Sequence, residues 1–124
     1  MTASAVEALL HRGFDLADIV VITGRGRVKS KLLNIDRIGQ YSTRHFTGNY
    51  TSDGDQIWTT GELTTETVYR FKGQSSPAIV LSEVDFTEMT EVERNKLFVG
   101  LTRAQMALEI VLSPSADECL KKLL

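Results

Sequence analysis

The chain has 124 residues, a net charge of −2, 42% hydrophobic residues and 24% charged residues. That length and balance fit one globular domain with a modest core and leave no room for two ordinary domains. The slight acidic excess argues against a free-standing nucleic-acid binder, whose electrostatic footprint is basic. No apolar run approaches the length of a membrane span, and the first residues lack a cationic stretch followed by a long apolar one. The expectation is therefore a cytoplasmic protein without a membrane partner. Cys119 is the single cysteine, and His11 and His45 stand far apart. No internal disulfide can form and no metal-ligand spacing exists. Cys119 reads as a small packed hydrophobe.

Residues 3–12 predict a helix, with Ser4 and Glu7 as a capping box and Val6, Leu9 and Leu10 on one face. Gly13 follows where a glycine cap belongs. The β-branched run Ile19-Val20-Val21-Ile22 predicts a strand covered on both faces, as in a parallel sheet. A glycine turn with Gly24, Arg25, Gly26, Arg27 and Lys29 comes next, leading into a helix-like segment with Leu32, Leu33, Ile35 and Ile38. Strand, glycine turn and helix make a phosphate-binding geometry in principle. The turn is not a P-loop: it is one residue too short, and Val28 stands where glycine belongs. The plainer reading is a solvated basic helix start.

Residues 41–62 are polar, and Ser52-Asp53-Gly54-Asp55 is a strong turn signal. The flanks, 44–47 and 56–59, predict a short β-hairpin, with Trp58 as a packing residue. Residues 66–71 predict a strand with Val68 inward, broken at Lys72-Gly73. Ala78-Ile79-Val80-Leu81 predicts a second buried strand. Thr90 and Glu93 form a capping box for a helix carrying Leu97, Leu101 and Ala104 on one face. Glu109-Ile110-Val111-Leu112 predicts a third buried strand, and a last helix follows Pro114. Helices alternating with continuous apolar strands predict an α/β sandwich with a mainly parallel sheet. If the strands before Gly24 and Lys72 are neighbours, the two glycine turns line one sheet edge.

Two stretches carry more than periodicity. Thr67-Val68-Tyr69-Arg70-Phe71-Lys72-Gly73 followed by Ile79-Val80-Leu81 resembles motif V of superfamily 1 helicases of the UvrD/Rep type. Leu97-Phe98-Val99-Gly100-Leu101-Thr102-Arg103-Ala104 resembles motif VI of the same group, matching at nearly every position. The strand and turn over 18–30 resemble motif IV in a register that floats by a residue or two. The resemblance spans about the last half of the chain.

It implies a single RecA-like three-layer domain, residues 1–124, that is the C-terminal part of a longer DNA helicase. In that family ATP with Mg²⁺ lies between two RecA-like domains. The first, an N-terminal domain with the P-loop, would hold the metal; the second supplies an arginine from motif VI, here Arg103. By the same resemblance Lys72, Gly73, Gln74 and either Arg25 or Arg27 approach the nucleotide. Thr67 and Tyr69 lie toward single-stranded DNA, and Arg27 and Lys29 add charge for its backbone. An arginine suits the task because a planar, always-ionised fork neutralises charge developing on a transferred phosphoryl group.

Three departures stand against the pattern. The chain has no P-loop and no acidic magnesium motif, so alone it is expected to be inactive. Ser75 replaces the glutamate that would bond the ribose. Only about 40 residues separate the motif IV-like turn from Thr67, too few for a large inserted domain. An alternative is a non-catalytic relative that senses nucleotide or binds protein. A lone arginine on a helix is ordinarily a solvent-facing one, and only the motif around Arg103 says otherwise.

Overall fold

A computed structural model describes residues 2–25, 30–71 and 73–123, the side chain of Leu123 excepted. Among the described residues three helices, α1 (Thr2–His11), α2 (Glu91–Arg103) and α3 (Pro114–Leu123), accompany eight strands. The strands are β1 (Ile19–Thr23), β2 (Arg37–Ile38), β3 (Tyr41–Arg44), β4 (Phe46–Tyr50), β5 (Gln56–Trp58), β6 (Leu63–Thr67), β7 (Ser76–Val84) and β8 (Ala104–Leu112). Six of them form one sheet in the order β2-β3-β6-β1-β7-β8. Every pairing in it is parallel except β2 with β3.

The continuous apolar runs of β1 and β7 are buried on both faces, as their composition demands. Ile19, Val21, Ala78 and Val80 point into one core with Val6 and Leu9 of α1. Ile22, Ile79 and Leu81 point into the other, with Val99 of α2 and Ala116 of α3. This alternation puts α1 on one side of the sheet and α2 with α3 on the other. Among the described residues no helix is long and apolar enough to cross a membrane.

Several expectations need correction. Helix α1 begins at Thr2, so Ser4 lies inside it and does not cap it. The segment with Leu32, Leu33, Ile35 and Ile38 forms one short 3-10 turn (Leu32–Asn34) and strand β2 instead of a helix. Only Leu33 and Ile38 are buried there, and pairing with β3 supplies backbone partners that a helix would have supplied. Strand β6 ends at Thr67, and Val68 is buried in the turn that follows. On α2, Leu101 is 61% exposed, while Val99 and Gly100 face the sheet. A Cβ on Gly100 would come within 2.8 Å of Leu81 Cδ2. The close approach of helix to strand at that glycine turns Leu101 outward. Strand β8 is half exposed because it is the sheet's last strand. Thr90 does cap α2, its hydroxyl accepting from the Glu93 N–H at 3.3 Å.

Strands β4 and β5 pair antiparallel apart from the main sheet. Phe46 packs edge-on to Tyr50 and tilted against Trp58, and the Arg44 guanidinium lies 4.4 Å from the Trp58 ring. Trp58 therefore packs within this unit. Arg70 ties the unit to the sheet. Its guanidinium covers the Phe46 ring at 4.0 Å, donates to Gln56 Oε1 at 3.0 Å, and donates through Nε to the buried Glu66 carboxylate at 3.0 Å. Removing one partner of such a pair strands a charge away from water. Arg70→Ala is expected to destabilise the fold by about 2–4 kcal/mol. Adding Glu66→Gln should recover part of that loss. Urea unfolding of the single and double variants measures both effects, and equal midpoints for Arg70→Ala and wild type would refute the link.

Candidate functional site

The parallel register divides the candidate residues between two edges of the sheet. At the carboxyl edge Thr23 of β1 stands level with Thr67 of β6 and Ser82 of β7. At the amino edge Ser76, which opens β7, stands level with Ala104, which opens β8. Ser82 lies six residue steps along the strand from Ser76, roughly 20 Å at about 3.3 Å per residue.

The amino edge holds Arg103. Helix α2 ends on that residue and β8 starts on the next, with no loop between them. A cation in the last helical turn meets the negative end of the helix dipole. The Thr102 hydroxyl donates back to the Phe98 carbonyl at 2.8 Å and so tightens that turn. Arg103 is half-buried, and its Nε is buried with no hydrogen-bond partner among the described residues. Buried guanidinium donors are ordinarily paired, so an unpaired one at this junction is an exception. After β6 the chain returns to the amino edge before β7 begins. Gln105 donates to Ser75 Oγ there at 3.0 Å, and Ser76 Oγ donates to the Asp18 carbonyl at 2.8 Å. Gly73 has φ of +82°, in the left-handed region, with nothing within 4 Å of a Cβ placed on it. Gln74 is exposed, its amide donating to the Arg70 carbonyl at 3.2 Å. Gly73, Gln74 and Ser75 thus lead into the edge that carries Arg103.

The carboxyl edge holds Arg25, Thr67 and Tyr69. Arg25 follows β1 and pairs with Asp85 at 3.6 Å. The expectation that the Gly24 turn and Gly73 line one edge is therefore not met. Strands β1 and β6 do end side by side, but the chain leaves β6 and descends past the sheet. Thr67 is buried, and its hydroxyl accepts the Arg70 N–H at 3.2 Å. Tyr69 is exposed, with the Lys96 ammonium 5.7 Å from its ring centre. Arg27, Lys29 and Lys72 lie outside the described residues. Among those described, no three His, Cys, Asp or Glu side chains gather as a metal group.

Glu83 organises the carboxyl edge and was not singled out from the sequence, where it looks like one more acid in a solvated link. It interrupts β7 with a φ of 56°, beside a register shift against β8. That bend aims its carboxylate at the segment after β1. Oε1 accepts from the hydroxyls of Thr23 and Ser30, and Oε2 accepts the Lys31 N–H at 2.9 Å. Partial burial raises its pKa, but the Ser30 and Thr23 hydroxyls, the Lys31 N–H and the Arg25 charge outweigh that and hold it below the ordinary 4.5. Glu83 thereby anchors both sides of the basic turn.

A family model described as the UvrD-like helicase C-terminal domain matches residues 63–111. The chain is similar to a UvrD-like helicase C-terminal domain over that span. The UvrD-like span starts with β6 and reaches the penultimate residue of β8. It contains Thr67, Tyr69, Gly73, Gln74 and Arg103, and it excludes Arg25 and the basic turn. No curated protein matches the chain.

Glu83 supplies a pH prediction. Its folded-state pKa is depressed, so its stabilisation is present above the unfolded value near 4.5 and is lost as pH falls through the folded value. Glu83→Gln should lower the urea midpoint at neutral pH and flatten the acid-side fall in stability. A variant whose midpoint tracks wild type throughout would remove Glu83 as an anchor.

Proposed function

We propose that the chain is the second, RecA-like half of an ATP-dependent DNA helicase or translocase. In this reading ATP with Mg²⁺ is bound mainly by an N-terminal P-loop domain of the same protein. Arg103 faces its phosphates from this side of the cleft. The observation that carries the reading is the partnerless, buried Nε of Arg103 at the α2–β8 junction, inside the UvrD-like span. The open left-handed turn at Gly73 and the Gln74 and Ser75 positions lead into the same edge and fit close approach of a nucleotide. A fixed guanidinium neutralises charge as the phosphoryl group transfers, at no cost of reorganisation. Supplying it from a second body makes turnover depend on cleft closure, which links hydrolysis to movement.

The carboxyl edge, with exposed Tyr69 and the basic turn anchored by Glu83, is the side assigned to single-stranded DNA. Arg25 belongs with that edge by position, about 20 Å along the strands from Arg103. A second reading, a nucleotide-sensing or protein-interaction module without motor action, draws on Ser75, whose hydroxyl is already engaged by Gln105.

The motor reading expects no ATP turnover from the 124-residue chain alone. In a protein that also carries the P-loop domain, Arg103→Ala should reduce DNA-stimulated ATPase by roughly 10³-fold or more. Arg103→Lys should fail nearly as badly, because an ammonium lacks the planar fork. Steady-state ATPase activity within a few-fold of wild type for Arg103→Ala would exclude the motor role and favour the module.

A further inference from the structure

The turn after β6 and the first half of α2 enclose a cavity of about 210 Å³, lined by Val68, Tyr69, Val92, Asn95, Lys96 and Val99. We propose that this cavity holds one base of a single-stranded DNA, with Tyr69 as its stacking face, Asn95 at its polar edge and Lys96 at the adjoining phosphate. The proposal rests on the single-strand reading of the carboxyl edge and assigns Asn95 and Lys96, which that reading leaves unused.

The walls are chemically sorted. Val68, Val92 and Val99 make an apolar floor, and Val68 and Val99 are buried in the core. Tyr69 is 51% exposed, and no other ring covers it among the described residues. A ring with a free face beside an apolar floor is the usual platform for base stacking. Asn95 is exposed and has no hydrogen-bond partner among the described residues. Its amide offers both a donor and an acceptor, the complement of a base edge. The Lys96 ammonium stands over the Tyr69 ring, 3.6 Å from Glu93.

Lys96 also lines a neighbouring cavity of about 110 Å³ with Arg25, Asp85, Glu83 and Glu93. Lys96 thus stands between the base cavity and the edge that bears Arg25. Glu83 and Asp85 there are already engaged, by Thr23, Ser30 and Lys31 and by Arg25 respectively. An apolar protein side chain would use the valine floor but leave the Asn95 amide unmatched. A base has an apolar face, a polar rim and a phosphate beside it, and it meets all three features.

The test is fluorescence anisotropy of the 124-residue chain with a labelled thymidine oligonucleotide and an abasic oligonucleotide of the same length. Wild type should bind the abasic strand about tenfold or more weakly, the usual size of a stacking loss. Tyr69→Leu and Asn95→Ala should erase that preference, and Tyr69→Phe should keep it. Both positions are exposed, so circular dichroism should show each variant folded like wild type. Equal binding of the two oligonucleotides by wild type, or a base preference unchanged in Tyr69→Leu, overturns the pocket alone and leaves an apolar protein side chain as its occupant. No binding of either oligonucleotide overturns the single-strand reading and the pocket with it.

Discussion

Strand β7 carries Ala78 and Val80 into one core and Ile79 and Leu81 into the other, and it pairs in parallel with β1 on one side and β8 on the other. A strand buried on both faces cannot slip: a shift of one residue would exchange every side chain between the two cores. Its register therefore fixes which residues share an edge. Ser76 sets the level at which β8 and Arg103 begin, and Ser82 sets the level of Thr23 and the basic turn. The sites inherit their positions from this strand, although its four most buried residues take no part in them.

Helix α2 spans the distance between the two edges. Its 13 residues, about 20 Å of helix, carry Asn95 and Lys96 in the first half and Arg103 at the last position. Gly100 lets the helix lie close against Leu81 of the sheet. Under the proposed reading, a strand held beside Tyr69 and a phosphate near Arg103 are connected through a single packed helix. Chains of contact of this kind carry coupling when both ends bias the same body.

Much of this order was legible in the sequence. Uninterrupted runs such as Ile19-Val20-Val21-Ile22 marked doubly covered strands, because few other structures bury every residue of a β-branched stretch. Thr90 announced the start of α2 through its capping chemistry. The segment over Leu32, Leu33, Ile35 and Ile38 was misread because an apolar spacing of three satisfies a helix, whereas a neighbouring strand decided the outcome. Leu101 was placed inward by its apolar character, and the close contact at Gly100 turned it out. Glu83 and Arg70 escaped notice for a different reason. Glu83 takes partners 52 to 60 residues away, and Arg70 joins its neighbour Glu66 to Gln56 and Phe46, 14 and 24 residues away; no local pattern encodes the long pairings. The motif around Arg103 was visible as a word, but the edge it occupies followed only from strand pairing.

The direct passage from Arg103 into β8 has one more consequence. With helix on one side and paired strand on the other, the main chain at this residue lost its freedom when the protein folded. Under the proposed reading, the main chain has nothing left to order when a second body arrives, and only the rotations of the Arg103 side chain can follow it. A guanidinium mounted on a loop would forgive an ångström of misalignment by following its target. Under the proposed reading, one mounted at this junction is a gauge, and the separation of the two bodies is read at the scale of a few side-chain rotations and one hydrogen bond.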